Sequence, residues 1–369
     1  MKGRLIMRKF KTGAAYHSNR MLSHAITDMR EMARADMDVV VHMLTHNDWE
    51  RHDKIMADIF KASEDVGLEV WVDNWGLGGS PGDKSHFLAY HPEAHTYYGD
   101  GKMHPFQVCL NAPSYRQFTK DWIEEVKAIG GKKIFWDEPR IPEMRIEGSD
   151  DYYSCCTCPT CRKLFEERYN RPIPTVMDQD VADFRNDTLV EFHEFITRYA
   201  KGVGLENSIC LMPYQLAATS TEVLTSQQKM MAIDIDRICS IDAIDDIGTD
   251  PYWYGSAEIA KSGNPYETVY HDSKLCVDAA NKYGKLHNIW LQSYGAPRGR
   301  EEEIIVAAEA MYDAGARTML AWSFHSGESN NYRSEVPEKS WALTVEAFRR
   351  VKSMERDRIL AENRKKYMK

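Results

Sequence analysis

Asp137-Glu138-Pro139 directly follows the apolar run Ile134-Phe135-Trp136 and precedes a cluster of cysteines. Such a run reads as a buried strand. Proline cannot donate a ladder hydrogen bond, so Pro139 ends it. Two carboxyl groups therefore stand where a strand opens onto a loop. Glu138 is the expected general acid, because burial among aromatic rings would hold its proton towards neutral pH. Strand alternation sends Asp137 and Glu138 to opposite faces unless the strand end rotates one of them. Asp250, in Gly248-Thr249-Asp250-Pro251-Tyr252-Trp253, repeats the pattern of a carboxylate followed by proline and is the leading partner. Asp73, in Val72-Asp73-Asn74-Trp75, and then Asp137 are the next candidates. The plainer readings are that Asp-Pro starts a turn and that Asp73 bonds a neighbouring loop.

The second group that could do chemistry is Cys109 with Cys156, Cys158 and Cys161. Four thiolates close a tetrahedral zinc site with no open position, which makes it structural. It would tie two long loops together and lower their conformational freedom. Cys155-x-x-Cys158 offers an alternative register. Cys210, Cys239 and Cys276 fall in strand or helix patterns and read as small buried residues. No organic cofactor is expected; the glycines Gly76, Gly78 and Gly79 run into Pro81 rather than into a helix, which excludes a dinucleotide loop.

The elements that must position these groups alternate strand and helix periods, the pattern of a parallel sheet. Eight strands are expected: Thr12–His17, Asp38–Thr45, Leu68–Asn74, Lys133–Asp137, Ser208–Tyr214, Ala243–Thr249, Asn288–Tyr294 and Thr318–Phe324. The fold class is α/β, a (β/α)8 TIM barrel with long loops after strands three and four, where barrel enzymes build their sites. It occupies residues 1–355 as one domain, with a cysteine-rich insertion at about 139–175 and a charged tail at 356–369. Leu22, Ile26, Met29 and Ala33 share one helical face, as do Ile304, Ala308 and Met311, and would pack outside the barrel. Gly67 and Gly315 punctuate the helix ends before strands three and eight.

At the expected mouth, Tyr16, Trp75, Trp136, Tyr214, Trp253, Tyr294 and Trp322 fall at strand ends, where rings can stack on sugar faces. Tyr252, His17, His325, Asn74, Gln215 and Gln292 complete the candidate binding set. The plainer reading of each ring is core packing.

With 369 residues, 43% of them hydrophobic, the chain can bury a large core. Its 47 basic and 56 acidic residues give a net charge of -9, which gives nucleic-acid binding little support. No stretch has the length of a membrane span, and residues 1–10 lack a signal-type apolar segment. A cytoplasmic protein is expected, with a carbohydrate partner and homo-oligomerisation left open.

Asp137-Glu138, Cys156-x-Cys158-x-x-Cys161 and Phe165, with the upstream segment Cys109-Leu110-Asn111-Ala112-Pro113-Ser114-Tyr115-Arg116, resemble family 42 β-galactosidases and their relatives among the (β/α)8 glycoside hydrolases. There a strand-four Asn-Glu precedes such a cysteine segment and a Phe-containing helix. The resemblance covers about residues 105–200 and implies glycosidase activity with Glu138 as acid/base. Two departures bear on it: Asp137 stands where those proteins have Asn, and Gln292 stands at the strand-seven position of their glutamate nucleophile. Other classes remain in view. A divalent metal could run isomerase, epimerase or lyase chemistry on a sugar at the same strand ends, and Gln292 motivates a non-catalytic carbohydrate-binding barrel.

Overall fold

The structure, a computed structural model, describes residues 9–17, 19–79, 82, 84–212 and 234–367. Its strands are β1 (Lys11–Tyr16), β2 (Val39–Met43), β3 (Glu69–Asp73), β4 (His95–Tyr97), β5 (Met103–Val108), β6 (Lys133–Asp137), β7 (Glu206–Cys210), β8 (Asp246–Thr249), β9 (Leu286–Gln292) and β10 (Thr318–Trp322). Eight of them close a parallel barrel in the order β1-β10-β9-β8-β7-β6-β3-β2. All eight expected strands are present, each within a few residues of its expected bounds. β4 and β5 pair antiparallel in the connection after β3, a hairpin that the His- and aromatic-rich sequence there did not announce.

The described helices are α1 (Leu22–Arg34), α2 (His46–Asp65), α3 (Phe87–Tyr90), α4 (Pro113–Ala128), α5 (Pro159–Tyr169), α6 (Gln179–Gly202), α7 (Ile235–Cys239), α8 (Ala257–Ser262), α9 (Tyr266–Lys282), α10 (Glu303–Asp313) and α11 (Pro337–Tyr367). In α1 the buried stripe is Ala25, Met29 and Met32, so the face is turned about one residue from Leu22, Ile26 and Ala33. In α10 it is the expected one, Ile304, Ala308 and Met311. The charged segment expected as a tail continues α11 as far as Tyr367. Gly67 and Gly315 adopt φ of 90° and 101°, the left-handed values that let a chain leave a helix and enter a strand without a Cβ penalty.

Alternation along each stave divides the core in two. Ala15, Val41, Trp71, Phe135, Trp290 and Leu320 fill the barrel interior, whereas Ile134, Trp136, Ile209, Ile247 and Ile289 point out under the helices. The interior is packed side chains, so chemistry is confined to the rims. Among the described residues no helix is long and apolar enough to cross a membrane.

Candidate active site

β6 positions the two adjacent carboxyls by breaking its own rule at the last residue. Asp137 follows the alternation of Phe135 and turns inward; its N–H is held by the Asn74 Oδ1 at 2.9 Å. Glu138 would then turn outward with Trp136, but its φ is 45°. A non-glycine residue in the left-handed region costs roughly 1–3 kcal/mol. That rotation points Glu138 into the mouth, where it shares a hydrogen bond with Asp250 at the end of β8. Both expected carboxyls thus reach one rim, by the strand-end rotation the alternation demands.

Glu138 is only 6% exposed, and Asp137 and Asp250 are half-buried. Burial pushes the Glu138 carboxyl above the ordinary range, opposed by Arg140, 3.6 Å away, and by the hydrogen bond with Asp250. Asp250 is raised well above the ordinary range by burial, by the charges of Glu138 and Asp137 and by the hydrogen bond it shares with Glu138. The two carboxyls therefore hold one proton between them. Asp137 is raised strongly by burial and by Glu138. Asp73 is raised strongly by burial and by Asp137.

Asp73 is fully buried and pairs in register with Phe135, one layer below Asp137. Both its oxygens lack a hydrogen-bond partner; the Trp75 N–H lies close without completing a well-aligned bond. It has no opening to solvent.

The rim around these groups is aromatic on two sides. His17 stacks on Trp75 at 5.6 Å and lies 5.7 Å from Trp322, and Trp75 and Trp322 are 5.6 Å apart. Across the mouth, Tyr252 meets Tyr294 edge to face at 5.3 Å. All five rings are half-buried. Burial, with Arg20 nearby, lowers His17 to about 4. The ring is neutral near pH 7, with Nε2 3.2 Å from Ser323 Oγ.

Other expected binders face elsewhere. Trp136 points outward, donates to Asn207 Oδ1 at 3.0 Å and packs on Trp122; it reaches only the back of a cavity of about 30 Å³ beside Glu138. Tyr16 is buried beneath α1, donating to Asp28 at 2.7 Å. Trp253 is fully buried, with its indole N–H on Glu303 at 3.0 Å. His325 bonds Glu31 at 2.8 Å and stacks on Phe324. Each was placed at the mouth because it ends a strand, but the odd and even phases of a strand face opposite sides. Gln292 does reach the rim, yet its Oε1 accepts the N–H groups of Trp253 and Tyr254 at 2.6 and 2.9 Å. It clips the turn that follows Asp250. Tyr214 and Gln215 lie outside the described residues.

The cysteine set converges as expected. Cys109, Cys156, Cys158 and Cys161 are buried with all sulfurs within 4.8 Å of one another, and Cys109 lies 3.4 Å from Cys161 and 3.5 Å from Cys158. Sulfurs about 2.3 Å from a tetrahedral zinc lie about 3.8 Å apart, so the set fits such an ion. Backbone N–H groups of Cys158 and Cys161 point at the sulfurs of Cys156 and Cys158, and Asn111 Nδ2 points at Cys161. Such donors orient and temper thiolate ligands. Cys155 is buried outside the group, which fixes the register on Cys156. Cys158 caps α5, which carries the buried Phe165.

Among the described residues one further trio converges, His46, Glu50 and His86. Its two rings stack face to face at 3.9 Å and 10°, so no single ion lies in both ring planes. It serves as a hydrogen-bonded tie between α2 and α3. No three of the mouth carboxylates converge in this way.

No family model and no curated protein matches the sequence. Solved structures do match in fold. The catalytic domain of β-amylase from Paenibacillus polymyxa superposes with a TM-score of 0.62 at 12% identity, covering 92% of this chain and 99% of that one. β-Galactosidase from the psychrophilic Marinomonas ef1 gives 0.66 at 12% identity, covering 94% of this chain and 60% of that one. The endo-β-1,4-mannanase from Thermotoga petrophila gives 0.57 at 12%, covering 94% and 77%. At such identity the likeness establishes the (β/α)8 fold.

Proposed function

We propose that the chain is a glycoside hydrolase in which Glu138 and Asp250 form the acid/base pair. The observation that carries this reading is the left-handed turn at Glu138, which spends conformational energy to bring its carboxyl onto Asp250 in a ring-lined mouth. Like charges in contact cannot both ionise, so the pair holds one proton over the neutral range. That proton is available to the leaving-group oxygen, and the carboxylate left behind takes one back from water. Catalytic carboxyls stand about 5–5.5 Å apart for retention and about 6.5–9.5 Å for inversion. A hydrogen-bonded pair is closer than either, so substrate must part the two. Gln292 contributes by positioning Asp250 and not by attack, since an amide cannot displace at an anomeric carbon. Asp73, sealed below Asp137, acts through Asp137 without touching substrate.

His17, Asn74, Trp75, Tyr252, Tyr294 and Trp322 would bind the sugar, rings on its apolar faces and polar atoms on its hydroxyls. Cys109, Cys156, Cys158 and Cys161 would hold a structural zinc, and the family 42 resemblance rests on that set and on Glu138. Fold neighbours that include an amylase, a galactosidase and mannanases fit carbohydrate as the substrate class. The absence of a converging carboxylate trio at the mouth, among the described residues, favours this reading over a metal-dependent isomerase.

The test is a panel of nitrophenyl glycosides and oligosaccharides, with wild type beside Glu138→Gln. The expected result is turnover of at least one substrate, slowed about 10²–10⁴-fold in the variant. A folded wild type that cleaves none of them contradicts the proposal.

A further inference from the structure

Beyond the pair of rings nearest the carboxylates, a third ring continues outward. Tyr332, in the connection between β10 and α11, meets Tyr294 edge to face at 6.3 Å and 80°. It is 58% exposed. Tyr252, Tyr294 and Tyr332 therefore form a stepped series that starts beside Asp250 and ends in solvent. Tyr294 is close enough to feel the carboxyls of Asp250, Glu138 and Asp137 and meets the Tyr332 ring as well.

An exposed ring on a surface is ordinary when it stands alone on a loose loop. The loop that carries Tyr332 is held at both ends and in the middle. Asn330 Oδ1 accepts the Tyr332 N–H at 2.7 Å, while Asn330 Nδ2 reaches His17 Nε2 at 3.4 Å at the end of the neighbouring β1. Ser334 Oγ donates to the Ser293 carbonyl at 2.9 Å and accepts the Ala296 N–H at 3.1 Å, and its own N–H donates to Ser326 at 3.1 Å. Gly327, with φ of 75°, lets the chain turn into this arrangement. A tyrosine carries few rotatable bonds, so a ring on a braced loop presents its apolar face to water at low ordering cost.

We infer that Tyr332 is the platform of an outer sugar-binding subsite, so that the substrate is an oligosaccharide chain running from the carboxylates past Tyr294 onto Tyr332. The inference rests on the glycosidase reading and adds chain length to it. Asn330 is its positioning residue: one side chain fixes the Tyr332 backbone and ties the loop to His17. A ring stack of this kind changes affinity by about 2- to 10-fold.

The experiment uses the full chain carrying Glu138→Gln, so that binding is measured without turnover. Mannobiose and mannohexaose, and maltose and maltohexaose, are titrated by calorimetry into this protein with and without Tyr332→Ala, Tyr332→Phe or Asn330→Ala, each checked by thermal melting. The expected result is tighter binding of the hexasaccharide than of the disaccharide in one series. That affinity ratio falls about 2- to 10-fold in Tyr332→Ala and Asn330→Ala and is kept in Tyr332→Phe. An unchanged ratio in Tyr332→Ala overturns the inference, as does an equal loss for both chain lengths or no binding of any sugar. If Glu138→Gln retains wild-type turnover while the ratio depends on Tyr332, the acid assignment falls and the subsite stands.

Discussion

Buried carboxylates sit at both ends of this barrel, in opposite company. At the lower rim Asp246 is 1% exposed, and both its oxygens are taken. Lys133 Nζ is 2.8 Å from Oδ2 and Asn288 Nδ2 is 2.7 Å from Oδ1. The same lysine lies 3.9 Å over the Trp71 ring, and Asn288 also donates to Ser208. A Cβ on Gly248 would come within 2.4 Å of Asn288 Oδ1, so only glycine leaves room for that network. At the upper rim Asp73 has no partner for either oxygen and Asp250 none for Oδ1, while Asp137 raises the proton affinity of Asp73, Glu138 that of Asp137, and both of them that of Asp250. Arg140 opposes the rise at Asp137 and Glu138. A buried acid costs stability unless it is paired. Pairing where only the fold gains, and frustration where a ligand can enter, is the division expected between the two faces of a barrel enzyme.

The sharpest way to break this comparison is to remove an acid from the upper rim. Asp250→Asn should lower turnover of any glycoside cleaved by wild type about 10²-fold or more, while its melting temperature stays level or rises because a buried acid without a cation partner is gone. A drop in both would place Asp250 with the structural acids.

Below that in size is the lower rim. Lys133→Met leaves the Asp246 carboxylate buried and unpaired, and should cost about 3–5 kcal/mol in urea unfolding. Adding Asp246→Leu should recover most of the loss, since an apolar pair replaces a buried ion pair at little cost.

Next comes the cysteine set, which braces the upper rim from outside. If zinc occupies it at a hundred times its Kd, chelation should lower stability by about 3 kcal/mol. Cys155→Ser should leave the bound metal in place, and Cys161→Ser should release it, as read by metal analysis.

The smallest effect concerns pH. Because burial and the Asp137 charge raise the folded Asp73 pKa above the ordinary carboxylate value of about 4, the folded state holds more protons than the unfolded chain above that pH. The stability this provides is complete below about pH 4 and is lost as pH rises towards the folded value, at up to about 1.4 kcal/mol per pH unit. Asp73→Asn should flatten the fall of melting temperature between pH 4 and neutrality. Parallel curves for the two proteins would remove Asp73 from the frustrated group.

The difference between the rims was only partly legible in the sequence. Strand positions, the carboxyl-then-proline signals at Glu138 and Asp250, and the spacing of Cys156, Cys158 and Cys161 were readable because each depends on local chemistry. Side-chain direction was not. Trp136 and Trp253 end strands just as Trp75 and Trp322 do, and only the phase of each strand against the barrel axis separates rim from core. The rotation of Glu138 was foreseeable as a requirement, since two neighbours cannot otherwise share a face, but its left-handed form was not. Tyr332 was missed because it lies in a short polar stretch without periodicity, and its role depends on a neighbour 38 positions earlier in the chain, Tyr294. The clip formed by Gln292 was equally invisible, because a glutamine that holds two backbone amides has no sequence signature.

The most direct test is the pH dependence of kcat/KM for wild type and Glu138→Gln on one cleaved oligosaccharide. With a single shared proton on the Glu138–Asp250 pair, wild-type activity should fall as pH rises through a value above the ordinary carboxylate range, and the variant should lose both that limb and at least about 10²-fold in rate. Superimposable profiles at equal rate would contradict the account.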